Sequence, residues 1–130
     1  MKIHHVGIAV RSLDAAAACY EGLFKVEKGA RYELPEFGVS ALFIPIGESS
    51  LEFLEPIDED STVAKFIEKR GEGIHHICFE VDDIIESLAE FERSGVELID
   101  RVPRPGAGGH LVAFLHPRSA HGVLVELKQR

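Results

Sequence analysis

A chain of 130 residues, 45 % of them hydrophobic, fits one compact domain with a sizeable core. Its formal net charge of −8 argues against nucleic acid, whose phosphates need clustered Lys and Arg. No apolar run approaches the ~20 residues of a membrane span, and Met1-Lys2 leads straight into strand-like sequence; the expectation is a soluble, cytoplasmic protein with no targeting segment and no membrane partner.

Residues 3–10 alternate as a strand, with Val6, Ile8 and Val10 on one face and His5, Gly7 and Ala9 on the other. Ser12 suits an N-cap for a helix over 13–24, whose apolar stripe is Leu13, Ala16, Ala17, Tyr20 and Phe24. The pattern then predicts strands over 25–33, 38–46 and 50–55. From Pro56 to Glu72 runs a linker whose middle, 61–69, reads as a short capped helix. A second strand–helix pair follows: a strand over 74–81, then a helix capped by Asp82 or Asp83 and ended by Ser94-Gly95. Strands are expected over 96–101, 110–115 and 122–128, with a turn-rich loop at Pro105-Gly106-Ala107-Gly108-Gly109. Of the two cysteines, Cys19 falls in a helix and Cys78 in a strand; in a cytosolic chain they read as thiols.

The order repeats because the sequence repeats. Ile3-His4-His5-Val6-Gly7-Ile8-Ala9-Val10 is matched by Ile74-His75-His76-Ile77-Cys78-Phe79-Glu80-Val81. Each half later places a carboxylate inside an apolar run, at Glu52 and at Glu126. The reading is one domain, 1–130, of α+β class. Two tandem βαβββ modules, about 1–56 and 73–130, are joined by a linker helix within about 57–72. One module alone cannot cover both faces of its sheet, so the two sheets are expected to form a half-barrel with a concave inner face.

An ionised Glu in the middle of an apolar strand is costly unless it is paired or binds a metal. The bland reading is an edge strand with the Glu in water. Two such residues, at matching places in repeats that each open with His, favour a site. Period 2 puts His4 and His5 on opposite faces, and His5 shares its face with the small Gly7 and Ala9. His5 and His76 are therefore the expected ligands, while His4 and His75 pack or face solvent. Two imidazoles and two carboxylates are a donor set for a first-row divalent ion. His110 and His121 follow Gly or Ala in loops and read as solvated; His116, before Pro117, is a weaker candidate for lining the site. The loop at 106–109 lacks the Gly-Lys-Ser/Thr of a P-loop.

Several segments together resemble the methylmalonyl-CoA epimerases of the vicinal oxygen chelate superfamily, to which glyoxalase I also belongs. They are His-Val-Gly-Ile-Ala-Val (5–10), Glu-Phe-Leu-Glu-Pro (52–56), Ser-Thr-Val-Ala-Lys-Phe-Ile-Glu-Lys (61–69), Gly-Glu-Gly-Ile-His-His-Ile (71–77), Pro-Arg-Pro-Gly-Ala-Gly-Gly (103–109), Phe-Leu-His-Pro (114–117) and Gly-Val-Leu-Val-Glu-Leu (122–127). The resemblance spans essentially the whole chain. It implies one divalent ion per chain on His5, Glu52, His76 and Glu126: cobalt first, with zinc, nickel and manganese as alternatives. It implies an acyl-CoA substrate, interconversion of (2R)- and (2S)-methylmalonyl-CoA through an enediolate, and a homodimer. Some relatives carry Gln in place of Glu52 and a separate catalytic Glu where this chain has Ala41. Glu52 and Glu126 are accordingly the expected acid–base pair, and Glu36 reads as a loop residue. The rival expectations are glyoxalase I, acting on a glutathione hemithioacetal, and a non-enzymatic drug-binding protein of the bleomycin-sequestering type.

Overall fold

The computed structural model describes residues 1–130. The chain divides into two compact units, His5–His75 and His76–Arg130, the latter together with Met1–His4. The first module runs β1 (Lys2–Ala9), α1 (Leu13–Phe24), β2 (Arg31–Leu34), β3 (Val39–Ile46) and β4 (Ser49–Pro56). After α2 (Thr62–Arg70), the second runs β5 (Gly73–Val81), α3 (Ile84–Arg93), β6 (Arg104–Pro105), β7 (Leu111–Leu115) and β8 (Val125–Gln129). Tandem βαβββ modules are therefore what the chain forms.

In the first module the strand order is β2-β3-β4-β1, with β4 antiparallel to β3 and parallel to β1. Helix α1 starts where Ser12 Oγ accepts the Ala15 N–H, as the sequence predicts. It lays Leu13 and Ala17 on Val10, Leu42, Ile44 and Phe53; burying a side chain the size of Leu13 or Phe53 contributes ~1.5–3 kcal/mol. Helix α2, capped by Ser61, covers one end of the opposite face, where Val63 and Ile67 meet Ala9, Val39, Ala41 and Leu54. Gly38 permits this approach: a Cβ there would stand 2.7 Å from the Ser61 Cβ, and φ is +68°.

The second module has the order β5-β8-β7-β6. Helix α3, capped by Asp83, packs Ile84 and Leu88 on Val81, Ala113, Leu115 and Leu127. The two modules share one further device. Glu55 Oε1, three residues past Glu52, accepts the first amide of α1 from Leu13 at 2.8 Å. Gln129 Oε1, three residues past Glu126, does the same for Ile84 of α3 at 2.7 Å. Each carboxylate-bearing strand is thus tied to its own helix N-terminus, which satisfies an orphan donor and holds the strand in place.

Two expected strands differ. The strand expected over 25–33 begins only at Arg31, although Gly29 already donates to the Phe43 carbonyl at 2.7 Å. The strand expected over 96–101 is reduced to a single bridge between Leu98 and Leu115. The reason lies in Asp100. Its Oδ2 accepts the Phe114 N–H at 2.9 Å, taking the place of a backbone acceptor, while the Ile99 and Asp100 amides both turn to the Phe114 carbonyl. The ladder stops there, and the two residues of β6 pair with β7 instead.

Candidate functional site

Strand alternation delivers one histidine of each pair to the buried face. His5 and His76 are each only 3 % exposed, whereas His4 and His75 are half-buried, and His75 packs edge-on against Phe66 of α2. The carboxylates are not edge residues facing water: Glu52 is 5 % and Glu126 7 % exposed. In the first module Glu52 stands in register with Gly7, so no side chain from β1 fills the space beside it. In the second, the small and fully buried Cys78 holds the corresponding place opposite Glu126.

Within each module the two candidate ligands face one another. His5 Nε2 lies 3.2 Å from Glu52 Oε1, and His76 Nε2 lies 3.0 Å from Glu126 Oε1. Two donors ~2.1 Å from one ion are ~3.0 Å apart on adjacent octahedral vertices and ~3.4 Å apart on tetrahedral ones. The spacing and the donor types therefore fit ligation. All four side chains are buried and of the kind that could hold a metal ion.

Sequence reasoning missed the aromatic support. Phe43 stands opposite Glu52 in the β3–β4 register, and Phe114 stands opposite Glu126 in the β7–β8 register. Phe43 meets the His5 ring nearly perpendicularly at 5.5 Å between centroids, and Phe114 meets His76 in the same way at 5.8 Å. The signal was present as matched triplets, Ala41-Leu42-Phe43 and Val112-Ala113-Phe114, but register is needed to see what the rings touch.

The other histidines serve the backbone or solvent. His110 and His121 are exposed, as expected. His116 accepts the Arg118 N–H on Nδ1 at 3.0 Å and turns Nε2 to within 3.7 Å of Glu97, so it caps a short turn. The Arg118 guanidinium, 2.7 Å from Glu97, holds that carboxyl below its ordinary range, helped by His116 and opposed by slight desolvation. Glu36 is exposed in a 3-10 turn. Ala41 is fully buried among Ala9, Val39 and Leu54.

Residues 4–114 match the family model described as the Glyoxalase/Bleomycin resistance protein/Dioxygenase superfamily. An ethylmalonyl-CoA/methylmalonyl-CoA epimerase from Cereibacter sphaeroides is 42 % identical, with 98 % of this chain and 97 % of that protein covered. The human mitochondrial methylmalonyl-CoA epimerase is 39 % identical over 98 % of this chain and 73 % of its own length. A solved methylmalonyl-CoA epimerase in complex with methylmalonyl-CoA and NH4+ superimposes with a TM-score of 0.95, at 38 % identity, covering 98 % of this chain and 93 % of the other. The chain belongs to the Glyoxalase/Bleomycin resistance protein/Dioxygenase superfamily and, within it, to the methylmalonyl-CoA epimerase family. No helix is long and apolar enough to cross a membrane.

Proposed function

We propose that this chain interconverts the C2 epimers of methylmalonyl-CoA, working as one domain and as a cytoplasmic homodimer. The observation that carries the reading is the duplicated buried His/Glu pair in a chain whose relatives are epimerases of that thioester. His5, Glu52, His76 and Glu126 together would hold one divalent ion, cobalt before zinc, nickel or manganese. Such an ion, when bound, acts as a Lewis acid for negative charge that develops on substrate oxygen.

Epimerisation at C2 needs a base on one face of that carbon and an acid on the other. Glu52 and Glu126 take these roles, one from each module. One carboxylate accepts the C2 proton, and the other returns a proton to the opposite face. The Phe43 and Phe114 rings hold the imidazoles and keep water from the carboxylates.

Parallel assays test the reading. One epimer of methylmalonyl-CoA, incubated with protein in deuterium oxide, should equilibrate and gain deuterium at C2. Turnover of the glutathione hemithioacetal, with none of methylmalonyl-CoA, would instead assign glyoxalase I. Failure to turn over either compound by metal-loaded protein would leave the drug-binding alternative.

A further inference from the structure

One spacing recurs in both modules and reaches past the candidate ligands themselves. His5 stands eight residues before Leu13, the first residue of α1, and His76 stands eight before Ile84, the first of α3. Glu52 stands three residues before Glu55, and Glu126 three before Gln129. The Leu13 N–H donates to Glu55 Oε1 at 2.8 Å and the Ile84 N–H to Gln129 Oε1 at 2.7 Å, so two equivalent circuits close. Each runs from the imidazole along its strand to the helix start, across the hydrogen bond to the neighbouring parallel strand, and back to the carboxylate. The last gap is the 3.2 Å between His5 Nε2 and Glu52 Oε1, or the 3.0 Å between His76 Nε2 and Glu126 Oε1.

We propose that Glu55 and Gln129 are positioning residues, braces that hold Glu52 and Glu126 at their distance from His5 and His76; where it concerns metal, this rests on the reading above. The strand ladders end close to the carboxylates. β1 and β4 pair as far as Ala9 and Leu54, and β5 and β8 as far as Val81 and Gln129. Strand ends fray readily, and a frayed end would let the carboxylate turn from its imidazole. The three-residue offset puts Glu55 and Gln129 on the sheet face opposite Glu52 and Glu126, where α1 and α3 pack. One strand thus grips its helix with one side chain and presents a candidate ligand with another. The two braces differ in chemistry. Gln129 also donates through Nε2 to the Asp82 carbonyl, a bond that an ionised carboxylate cannot make. Glu55 brings negative charge to the N-terminal end of α1, where the helix dipole favours it. Two different side chains deliver an acceptor to the same place, so what recurs is the position of the oxygen and not the residue type.

Paired variants separate a brace from a mere helix cap. Ser12→Ala removes the other side-chain acceptor at the start of α1, and Asp83→Ala removes its counterpart on α3; Glu55→Ala and Gln129→Ala remove the braces. Each variant loses one acceptor for a helix-terminal amide, so denaturant midpoints should fall comparably within each pair. In metal-free protein the imidazole nitrogen shifts of His5 should move in Glu55→Ala and stay in Ser12→Ala. Those of His76 should move in Gln129→Ala and stay in Asp83→Ala. Cobalt titration should show Kd raised about tenfold by loss of a brace, the low end for groups behind the ligands, and less than about twofold by loss of a cap. Glu55→Gln keeps the acceptor and should bind cobalt as wild type does. Glu55→Asp and Gln129→Asn, each a methylene too short, should behave as the alanine variants do, which keeps the test open if an alanine variant does not fold. Effects of equal size within a pair, or none in either member, would overturn the braces and leave Glu55 and Gln129 as caps. Wild-type protein that binds no cobalt would sink the metal reading alone, because the imidazole shifts of metal-free protein still decide the braces.

Discussion

The two modules carry the same residue at three matched places, His5 and His76, Glu52 and Glu126, Phe43 and Phe114, and in each module the Phe stands in register with the Glu. Around them the residues differ. Ala9, Leu54 and Ala41 make the first module an apolar plug under α2; Glu80, Lys128 and Arg104 leave the second charged and partly open. The repeated His/Glu pairs keep the same donor types at matching places, as the proposed metal site requires, since ligands must stay within tenths of an ångström of an ion. The next layer was free to diverge, because a buried layer needs only volume and apolarity and an open one needs only solvation. The shared residues therefore describe the chemistry, and the unshared ones describe how each module is closed or reached.

Substitutions at shared and unshared positions should behave differently. The largest effect falls on a shared carboxylate. Glu52→Gln keeps an oxygen donor but cannot take a proton; metal should remain bound while epimerisation falls by the ~10²–10⁴-fold that a positioned general base contributes. Near-normal turnover would leave Glu52 as a ligand alone. A swap across the unshared layer comes next. Leu54→Lys buries an ammonium group beneath α2 and should cost several kcal/mol of folding stability, whereas Lys128→Leu should change stability by less than ~1 kcal/mol. Denaturant midpoints decide it, and equal losses would erase the contrast between the modules.

The aromatic supports should give a smaller and symmetric effect. Phe43→Leu and Phe114→Leu should each weaken metal binding about tenfold, at the low end of what groups behind the ligands supply. A loss confined to one module would show that only one ring orients its histidine. The smallest effect is at the surface of the second module. Arg118→Ala should let the Glu97 pKa rise toward its ordinary value, read by carboxylate chemical shifts against pH. Because that pKa is lowered in the folded chain, any stabilisation is present above the unfolded value and lost as pH falls through the folded one.

Much of this was legible in the sequence. Period 2 separated His5 from His4 and His76 from His75, and burial follows that division. The cap at Ser12 stands where capping chemistry put it, and of the two residues that could cap α3, Asp82 and Asp83, it is Asp83 that does. What escaped needed register or tertiary contact. Asp100 stops a strand that its neighbours favour by using its own carboxylate as the acceptor. Ala41, small and apolar, gives no local sign of what covers it, yet it lies wholly within the α2-covered core. Ala41→Glu should therefore destabilise the fold by a few kcal/mol rather than supply a base. No local pattern reveals that α2 covers the first module at that point, because the contact spans about twenty residues of sequence.

The central claim is that each module supplies half of one metal site. Calorimetric titration of metal-free protein with cobalt tests it directly. The account predicts one ion per chain, with either His5→Ala or His76→Ala alone abolishing tight binding. Two ions per chain, or a single variant that keeps one tight site, would mean that each module binds by itself, and the account would be wrong.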